Sequence, residues 1–98
     1  MLKAPIKAST TIRLSDTVDQ WSRRIHVNVR NGKPTLVYRW RDSKSPKSHT
    51  QRMTLSDEQV GRLIAAMSIA AGVAADNDES RLLVVAKGRD AQQREAGI

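Results

Sequence analysis

Alternating apolar and polar residues on both sides of Asn31-Gly32 predict a β-hairpin over about residues 22–41. Asn-Gly is the preferred centre of a two-residue type I′ turn, because both turn positions need a positive φ. This turn sets the register, so that residues whose numbers sum to 63 face each other. The pairs on the apolar face are Val29 with Pro34, Val27 with Leu36, Ile25 with Tyr38 and Arg23 with Trp40.

The opposite face of the hairpin is polar and mostly basic. Its pairs are Arg24 with Arg39, His26 with Val37, Asn28 with Thr35 and Arg30 with Lys33, and Arg41 extends the row. Like charges directly opposite each other destabilise a sheet, so packing alone does not explain this arrangement. We therefore expect this face to bind a negatively charged partner.

Two further segments alternate as strands do, at residues 10–14 and 49–55. The second segment places Arg52 on the basic face, and Met53 and Leu55 on the apolar face. The intervening residues 42–48 contain Pro46, two lysines and three serines, which predicts a mobile, positively charged loop. The pattern thus predicts an antiparallel sheet of three to four strands.

One long helix is predicted after the sheet. Ser56-Asp57-Glu58-Gln59 has the pattern of a capping box, so we expect the helix to start at Asp57. Apolar residues then recur at i, i+3, i+4 and i+7 as far as about residue 75, and this stripe can lie on the sheet's apolar face. The predicted fold class is therefore α+β, with the helix packed on the apolar face of the sheet.

The C-terminal pattern is weaker. Residues 80–86 fit either a second short helix or an added strand, since their length and their β-branched pair suit both. Residues 88–98 are charged and nearly devoid of apolar side chains, which predicts a frayed tail or a loose helix. The expected organisation is a flexible arm at 1–9, a sheet-plus-helix domain at 10–75 and a C-terminal extension at 76–98.

The composition suits one small soluble domain, with 98 residues of which 39% are hydrophobic and 28% charged. The absence of cysteine speaks against a disulfide framework, and we expect a reducing cytoplasm. We recognise no N-terminal leader, and the weakly polar stretch Leu63 to Ala75 is shorter than the roughly 20 residues that cross a bilayer. So small a fold gains burial by pairing with a second copy, which favours a homodimer.

The net charge of +7 is unevenly distributed. Residues 21–54 contain nine of the 17 Lys and Arg residues but one of the ten acidic residues. Such a concentration on one predicted sheet is typical of a nucleic-acid footprint, with cations on phosphates and polar side chains on bases or sugars. The candidate nucleic-acid-binding residues are Arg24, His26, Asn28, Arg30, Lys33, Thr35, Arg39, Arg41, Lys44, Lys47 and Arg52.

Other kinds of site are not indicated. His26 and His49 are the only histidines, and no cluster of carboxylates accompanies them, so neither a metal nor another cofactor is predicted. No nucleophile motif or phosphate-binding glycine loop is present, and we expect no enzymatic activity. Tyr38 and Trp40 fall on the apolar face, which favours a role in the core over base stacking, and the pattern leaves the face of Trp21 open.

The stretches Arg24 to Arg30, Gly32 to Trp40 and Met53 to Gln59 resemble two families. One is the transcriptional positive-cofactor-four family, in which a curved antiparallel sheet and a helix dimerise and bind single-stranded DNA. The other is the arm-binding domain of tyrosine recombinases, with its plant ethylene-response relatives, whose sheet contacts duplex DNA. Both resemblances imply a sheet-plus-helix fold that binds DNA.

These observations favour a non-enzymatic nucleic-acid-binding protein, such as a transcription or recombination accessory factor, that binds DNA through the exposed basic face. The alternative is an interaction or inhibitor protein from a phage or mobile element, whose basic face binds an acidic protein partner. Both hypotheses use the same side chains, and neither involves a membrane.

Overall fold

The computed structural model describes residues 8–43 and 45–97. In this part of the chain the elements are β1 (Thr10–Arg13), β2 (Gln20–Arg30), β3 (Lys33–Asp42), β4 (Ser45–Thr54), α1 (Asp57–Ala75) and α2 (Glu79–Ala96). The strands form one antiparallel sheet in the order β1-β2-β3-β4. The predicted α+β class is confirmed, although two helices follow the sheet where one long helix was expected.

The hairpin of β2 and β3 has the predicted turn. Asn31 and Gly32 have φ values of 52° and 73°, as a type I′ turn requires. Each predicted pair is present from Arg30 with Lys33 back to Arg24 with Arg39. The register of the hairpin therefore follows from a local signal, the Asn-Gly turn between two alternating strands.

The predicted pair of Arg23 with Trp40 is wrong. The pairing shifts by one residue between Trp21 and Arg24, because Trp21 faces Arg41 while Arg24 faces Arg39. Two residues of β2, Ser22 and Arg23, thus lie opposite one residue of β3, which is the arrangement of a β-bulge. Ser22 has a φ of 51°, a left-handed conformation that suits the first position of such a bulge.

The predicted loop at residues 42–48 is also wrong over most of its length. Strand β3 continues to Asp42 and β4 already begins at Ser45, with a second register shift between Arg41 and Asp42. Pro46 lies within β4, which is tolerated because β4 is an edge strand and one missing N–H need not break the ladder. Lys44 lies outside the described residues.

The C-terminal segment is helical. Helix α2 includes all of residues 80–86, the segment that pattern alone left between helix and strand, and continues through the charged residues that follow. It begins after Asp78, whose carboxylate accepts hydrogen bonds from the backbone N–H groups of Ser80 and Arg81. It ends at Ala96 and is capped by Gly97, which has a φ of 83°. These two caps stabilise a helix whose own apolar pattern is weak.

The described residues form two units, the sheet unit Ala8–Asp57 and a helical unit that begins at Glu58. Ala75 is the one buried residue of α1, and Ile64 and Met67 are each 63% exposed. Packing of α1 on the apolar face of the sheet stays a prediction, as does the division of the chain at residues 9 and 75. The expected arm falls largely on residues 1–7, outside the described residues.

A cationic sheet face as the candidate functional site

The register places most of the candidate binding residues on one face of the sheet, which we call the basic face. Opposite residues of paired strands point to the same side, so the pairing of three strand pairs defines this face without further assumption. Its charged and polar members in the described strands are Thr11, Arg13, Arg24, His26, Asn28, Arg30, Lys33, Thr35, Arg39, Arg41, Ser48, Thr50, Arg52 and Thr54.

Three arginines lie side by side across the sheet. Arg13 of β1 is paired with Arg24 of β2, which is in turn paired with Arg39 of β3. Arg13 was missed by sequence reasoning. Its alternation with Ile12 was visible, but nothing in the sequence showed which strand β1 would pair with.

None of the arginines on this face forms an ion pair with a carboxylate within the described residues. Arg24 instead donates a hydrogen bond from Nη1 to the backbone oxygen of Ser22, at 2.8 Å. Like charges at this spacing repel each other, so the face has a positive potential that an anionic partner would relieve.

The best-buried residues of the sheet lie on this basic face. Thr35 is 1% exposed and Val37 is 2% exposed, both in the central part of β3. The register neighbours of Val37 are His26 and Arg52, and Arg39 follows two residues along the strand. The aliphatic stems of long cationic side chains can cover apolar surface while their charged ends reach solvent, and we attribute the burial of Val37 to this effect.

Three side-chain atoms on the basic face are buried without a hydrogen-bond partner in the described structure: His26 Nε2, Asn28 Oδ1 and Arg39 Nε. A buried polar atom without a partner costs about 1–3 kcal/mol, so such atoms are uncommon in folded proteins and call for an explanation. Three of the four atoms of this kind in the described structure thus lie on the basic face, and the fourth, His49 Nε2, lies on the opposite face.

The pKa of the His26 imidazole is changed by the residues around it. Burial lowers the pKa of its imidazole from the usual 6.5, and the nearby positive charges of Arg39 and Arg24 lower this pKa further. Its Nδ1 is 2.7 Å from Thr11 Oγ1, within hydrogen-bonding distance. His26 is therefore neutral at neutral pH and contributes a polar group, not a cation, to the basic face.

Two shallow cavities open on this part of the sheet unit. The first, of about 340 Å³, is lined by Arg30, Asn31, Lys33, Thr35, Arg52 and Thr54. The second, of about 370 Å³, is lined by Trp21, Arg41, Asp42, Ser43, Ser45 and Pro46. The first cavity has cationic, hydroxyl and amide residues, whereas the second has one cation, one acidic residue and an aromatic ring.

The opposite face of the sheet carries the apolar residues and an aromatic stack. The ring of Trp40 lies between those of Tyr38, at 4.9 Å, and His49, at 5.2 Å. Tyr38 and Trp40 therefore lie on the apolar face, as predicted from the register. The basic face has Trp21 as its one aromatic residue other than His26 among the described strands.

Two of the candidate residues are not placed on the basic face by the register. Lys47 lies in the part of β4 where the pairing shifts, and Lys44 is outside the described residues. Within the described ranges, no three metal-ligating side chains come together. In the same ranges, neither helix combines the length and the apolar character that crossing a bilayer requires.

The comparison with known proteins decides between the two functional hypotheses. A family model described as "Inhibitor of toxin/antitoxin system (Gp4.5)" matches residues 1–94. The chain belongs to this family.

Two phage proteins are similar to this member of the family. The "Inhibitor of toxin/antitoxin system" of Escherichia phage T7 is 72% identical over 61 residues, which cover 62% of this chain and 68% of the relative. The "Gene 4.5 protein" of Enterobacteria phage T3 is 55% identical over 83 residues, which cover 85% of this chain and 88% of the relative. No solved structure matches the chain.

Family membership corrects the main functional expectation. The resemblances to the positive-cofactor-four family and to integrase arm-binding domains are wrong, and so are the expected DNA binding and the role in transcription. The alternative, a phage inhibitor with a protein partner, agrees with the family. The error has a physical cause, since a cationic surface attracts negative charge whether a phosphate backbone or an acidic protein carries it.

Proposed function

We propose that this chain inhibits a toxin/antitoxin system by binding an acidic surface on a protein of that system through its basic face. The observation that carries the proposal is the row of Arg13, Arg24 and Arg39, on a face with no carboxylate among its described residues, in a chain of this family. Inhibition on this account requires binding and no catalytic step.

The charge distribution suits a protein partner. Complementary potentials accelerate association and select the correct partner over proteins of the wrong charge. Arginine is well suited to such a surface, because its planar guanidinium matches a carboxylate with two hydrogen bonds and is weakly hydrated. The sheet also holds the backbone of these residues in fixed positions, so no backbone entropy need be lost there on binding.

The unpartnered polar atoms support the same function. His26 Nε2, Asn28 Oδ1 and Arg39 Nε lie among the arginines, and a partner with carboxylates and backbone amides supplies both acceptors and donors for them. These atoms are covered in the free chain, so each such hydrogen bond requires the side chain to turn outward when the partner binds. The polar centre of the face therefore adds specificity to binding, in addition to the long-range attraction that its charge provides.

The test is a charge reversal at exposed positions. We expect expression of the chain to restore growth of a host in which an induced toxin/antitoxin system arrests it. The variant carrying Arg30→Glu and Arg52→Glu should lose this effect, because two cations of the basic face become repulsive toward an acidic partner. Growth after induction is the measurement, with the fold of the variant checked by circular dichroism.

A matched control changes the net charge equally on the helical unit. Lys87→Glu with Arg94→Glu replaces two exposed cations of α2 and should leave the rescue of growth intact. Full rescue by the Arg30→Glu and Arg52→Glu variant would reject the basic face as the inhibitory surface. Loss of rescue in both double variants would show that net charge, and not this face, is what matters.

We also propose that the chain forms the homodimer expected from its sequence. The apolar residues of the helices that remain largely exposed in the single chain support it, above all Ile69 at 66%, Val73 at 75% and Val84 at 69%. Exposed apolar residues on this scale are unusual for a stable monomer. The cytoplasmic location expected from the sequence stays a prediction.

A further inference from the structure

The β-bulge in β2 changes the face on which Trp21 lies. An uninterrupted register would pair Trp21 with Asp42 and place it on the apolar face. With the extra residue at Ser22 and Arg23, Trp21 is paired with Arg41 and lies on the basic face. The bulge thus introduces a large aromatic ring into a surface that is otherwise cationic and polar.

Hydrogen bonds on the apolar side confirm this placement. The hydroxyl of Tyr38 donates to Gln20 Oε1, and Arg23 Nε donates to the same hydroxyl at 2.8 Å. Gln20 and Arg23 therefore both lie on the face of Tyr38. Since Trp21 follows Gln20 in an extended strand, its side chain points to the opposite, basic face.

The bulge is held by several contacts from the preceding segment. The backbone N–H of Ser22 donates to Asp16 Oδ1 at 3.0 Å, and Arg23 Nη1 donates to the backbone oxygen of Ser15 at 2.7 Å. The backbone N–H of Leu14 also donates to the oxygen of Arg23, at 2.9 Å. These hydrogen bonds compensate for the energetic cost of the positive φ of Ser22. A strained residue that is held in place by its surroundings is typical of a functional site.

The ring of Trp21 is available for contact. Trp21 is 49% exposed and lines the cavity of about 370 Å³ together with Arg41. Tryptophan and arginine are the residues most enriched at the energetic centres of protein interfaces. Asp42 also lines this cavity, and its carboxylate lies 4.0 Å from Nε2 of His49, a residue of the opposite face. The positive charge of Arg41 favours a negatively charged ligand group next to it.

We propose that Trp21 is the apolar anchor of the basic face, where it receives an apolar side chain of the partner while Arg41 binds a neighbouring carboxylate. The inference rests on the proposed function and specifies the partner's chemistry as an acidic segment interrupted by an apolar residue. A purely acidic segment satisfies the arginines but leaves the indole ring in water. Binding of the mixed segment is therefore stronger.

Two peptide probes test the anchor directly. One is a peptide of glutamates with a single central leucine, and the other contains glutamates alone. At low ionic strength the leucine peptide should bind the full chain at least about tenfold more tightly. Trp21→Ala should abolish this preference, whereas Trp21→Phe should keep most of it. If Trp21→Ala retains the full preference for the leucine peptide, Trp21 is not the anchor.

Tryptophan fluorescence provides a second readout. The chain has two tryptophans, so Trp40→Phe leaves Trp21 as the single tryptophan, whose emission can be excited selectively over that of Tyr38. Titration with the leucine peptide should shift its emission to shorter wavelength and protect it from quenching by iodide, because the ring leaves water. An unchanged spectrum on saturation with peptide would overturn the inference.

The bulge itself supplies a matched pair of variants. Ser22→Gly suits the positive φ and should keep the leucine preference, whereas Ser22→Val disfavours that φ and should reduce it toward that of Trp21→Ala. In the growth assay, Trp21→Ala should weaken the rescue that wild type gives. If Trp21→Ala rescues growth fully while the Arg30→Glu and Arg52→Glu variant does not, Trp21 is not the anchor, and the proposed function is unaffected. Rescue by the charge-reversed variant would instead reject the proposed function.

Discussion

Among single residues, His26 has an ionisation that its surroundings change. Burial and the charges of Arg39 and Arg24 lower the pKa of its imidazole in the folded chain. In the unfolded chain these influences are absent, and the pKa returns to about 6.5. As pH falls through that value, the unfolded state therefore binds a proton that the folded state does not bind, and folding becomes less favourable.

This linkage gives a pH prediction. The stability that depends on neutral His26 is fully present above the unfolded pKa and is lost as pH falls toward the lowered folded pKa, below which the loss levels off. His26→Gln should reduce the difference in urea midpoint between neutral and mildly acidic buffer. A variant whose midpoint falls with pH as steeply as that of wild type would contradict the account.

At the scale of elements, glycines in a turn and in a helix should respond oppositely to the same substitution. A Cβ added at Gly32 or at Gly88 meets no atom within 4 Å, so sterics with neighbours do not decide the outcome. Gly32 has a φ of 73° in the turn between β2 and β3, whereas Gly88 lies inside α2. The backbone conformation at each position therefore decides whether the substitution raises or lowers the free energy of unfolding.

We expect Gly32→Ala to destabilise the chain by about 1–2 kcal/mol, because an L-residue is strained in the left-handed region. Gly88→Ala should stabilise it by about 0.5–1 kcal/mol, because alanine loses less backbone entropy in a helix. Urea unfolding of the two variants beside wild type measures both effects. Equal effects of the same sign would show that contacts outside the described structure dominate at these positions.

The elements also show which features can be read from a sequence. The turn at Asn31-Gly32 and the start of α1 depend on a few adjacent residues, and both were predicted correctly. The bulge at Ser22 depends on Asp16 and on the segment near Leu14, whose approach to β2 is a tertiary effect. For the same reason the pairing of Arg13 with Arg24 and the face of Trp21 could not be read from periodicity.

At the scale of the whole molecule, the sequence identified the candidate surface better than its partner. The net charge and the hairpin register predicted one cationic surface, and the structure brings Arg24, Arg39 and Arg52 onto one face. Electrostatic attraction does not distinguish a nucleic acid from an acidic protein. The distinction required the comparison with relatives, which share whole stretches of sequence and not a general charge pattern.

Self-association is a prediction at this same scale. We expect the chain to sediment as a dimer, because apolar side chains of α1 such as Ile64 and Met67 are largely exposed in one chain. Met67→Lys should shift the equilibrium toward monomer, whereas Gln93→Lys adds the same charge at a polar position of α2 and should not. A wild-type chain that sediments as a monomer at all concentrations would reject the homodimer.

If the proposed function holds, the row of Arg13, Arg24 and Arg39 links the stability of the sheet to the presence of an acidic partner. In the free chain their mutual repulsion works against folding, and an acidic ligand that neutralises them binds the folded state alone. The ligand therefore adds to the free energy of unfolding in proportion to the logarithm of its concentration. If the proposed function holds, we expect the unbound chain to be the form more exposed to degradation, so its amount in a cell should follow the amount of acidic partner available to it.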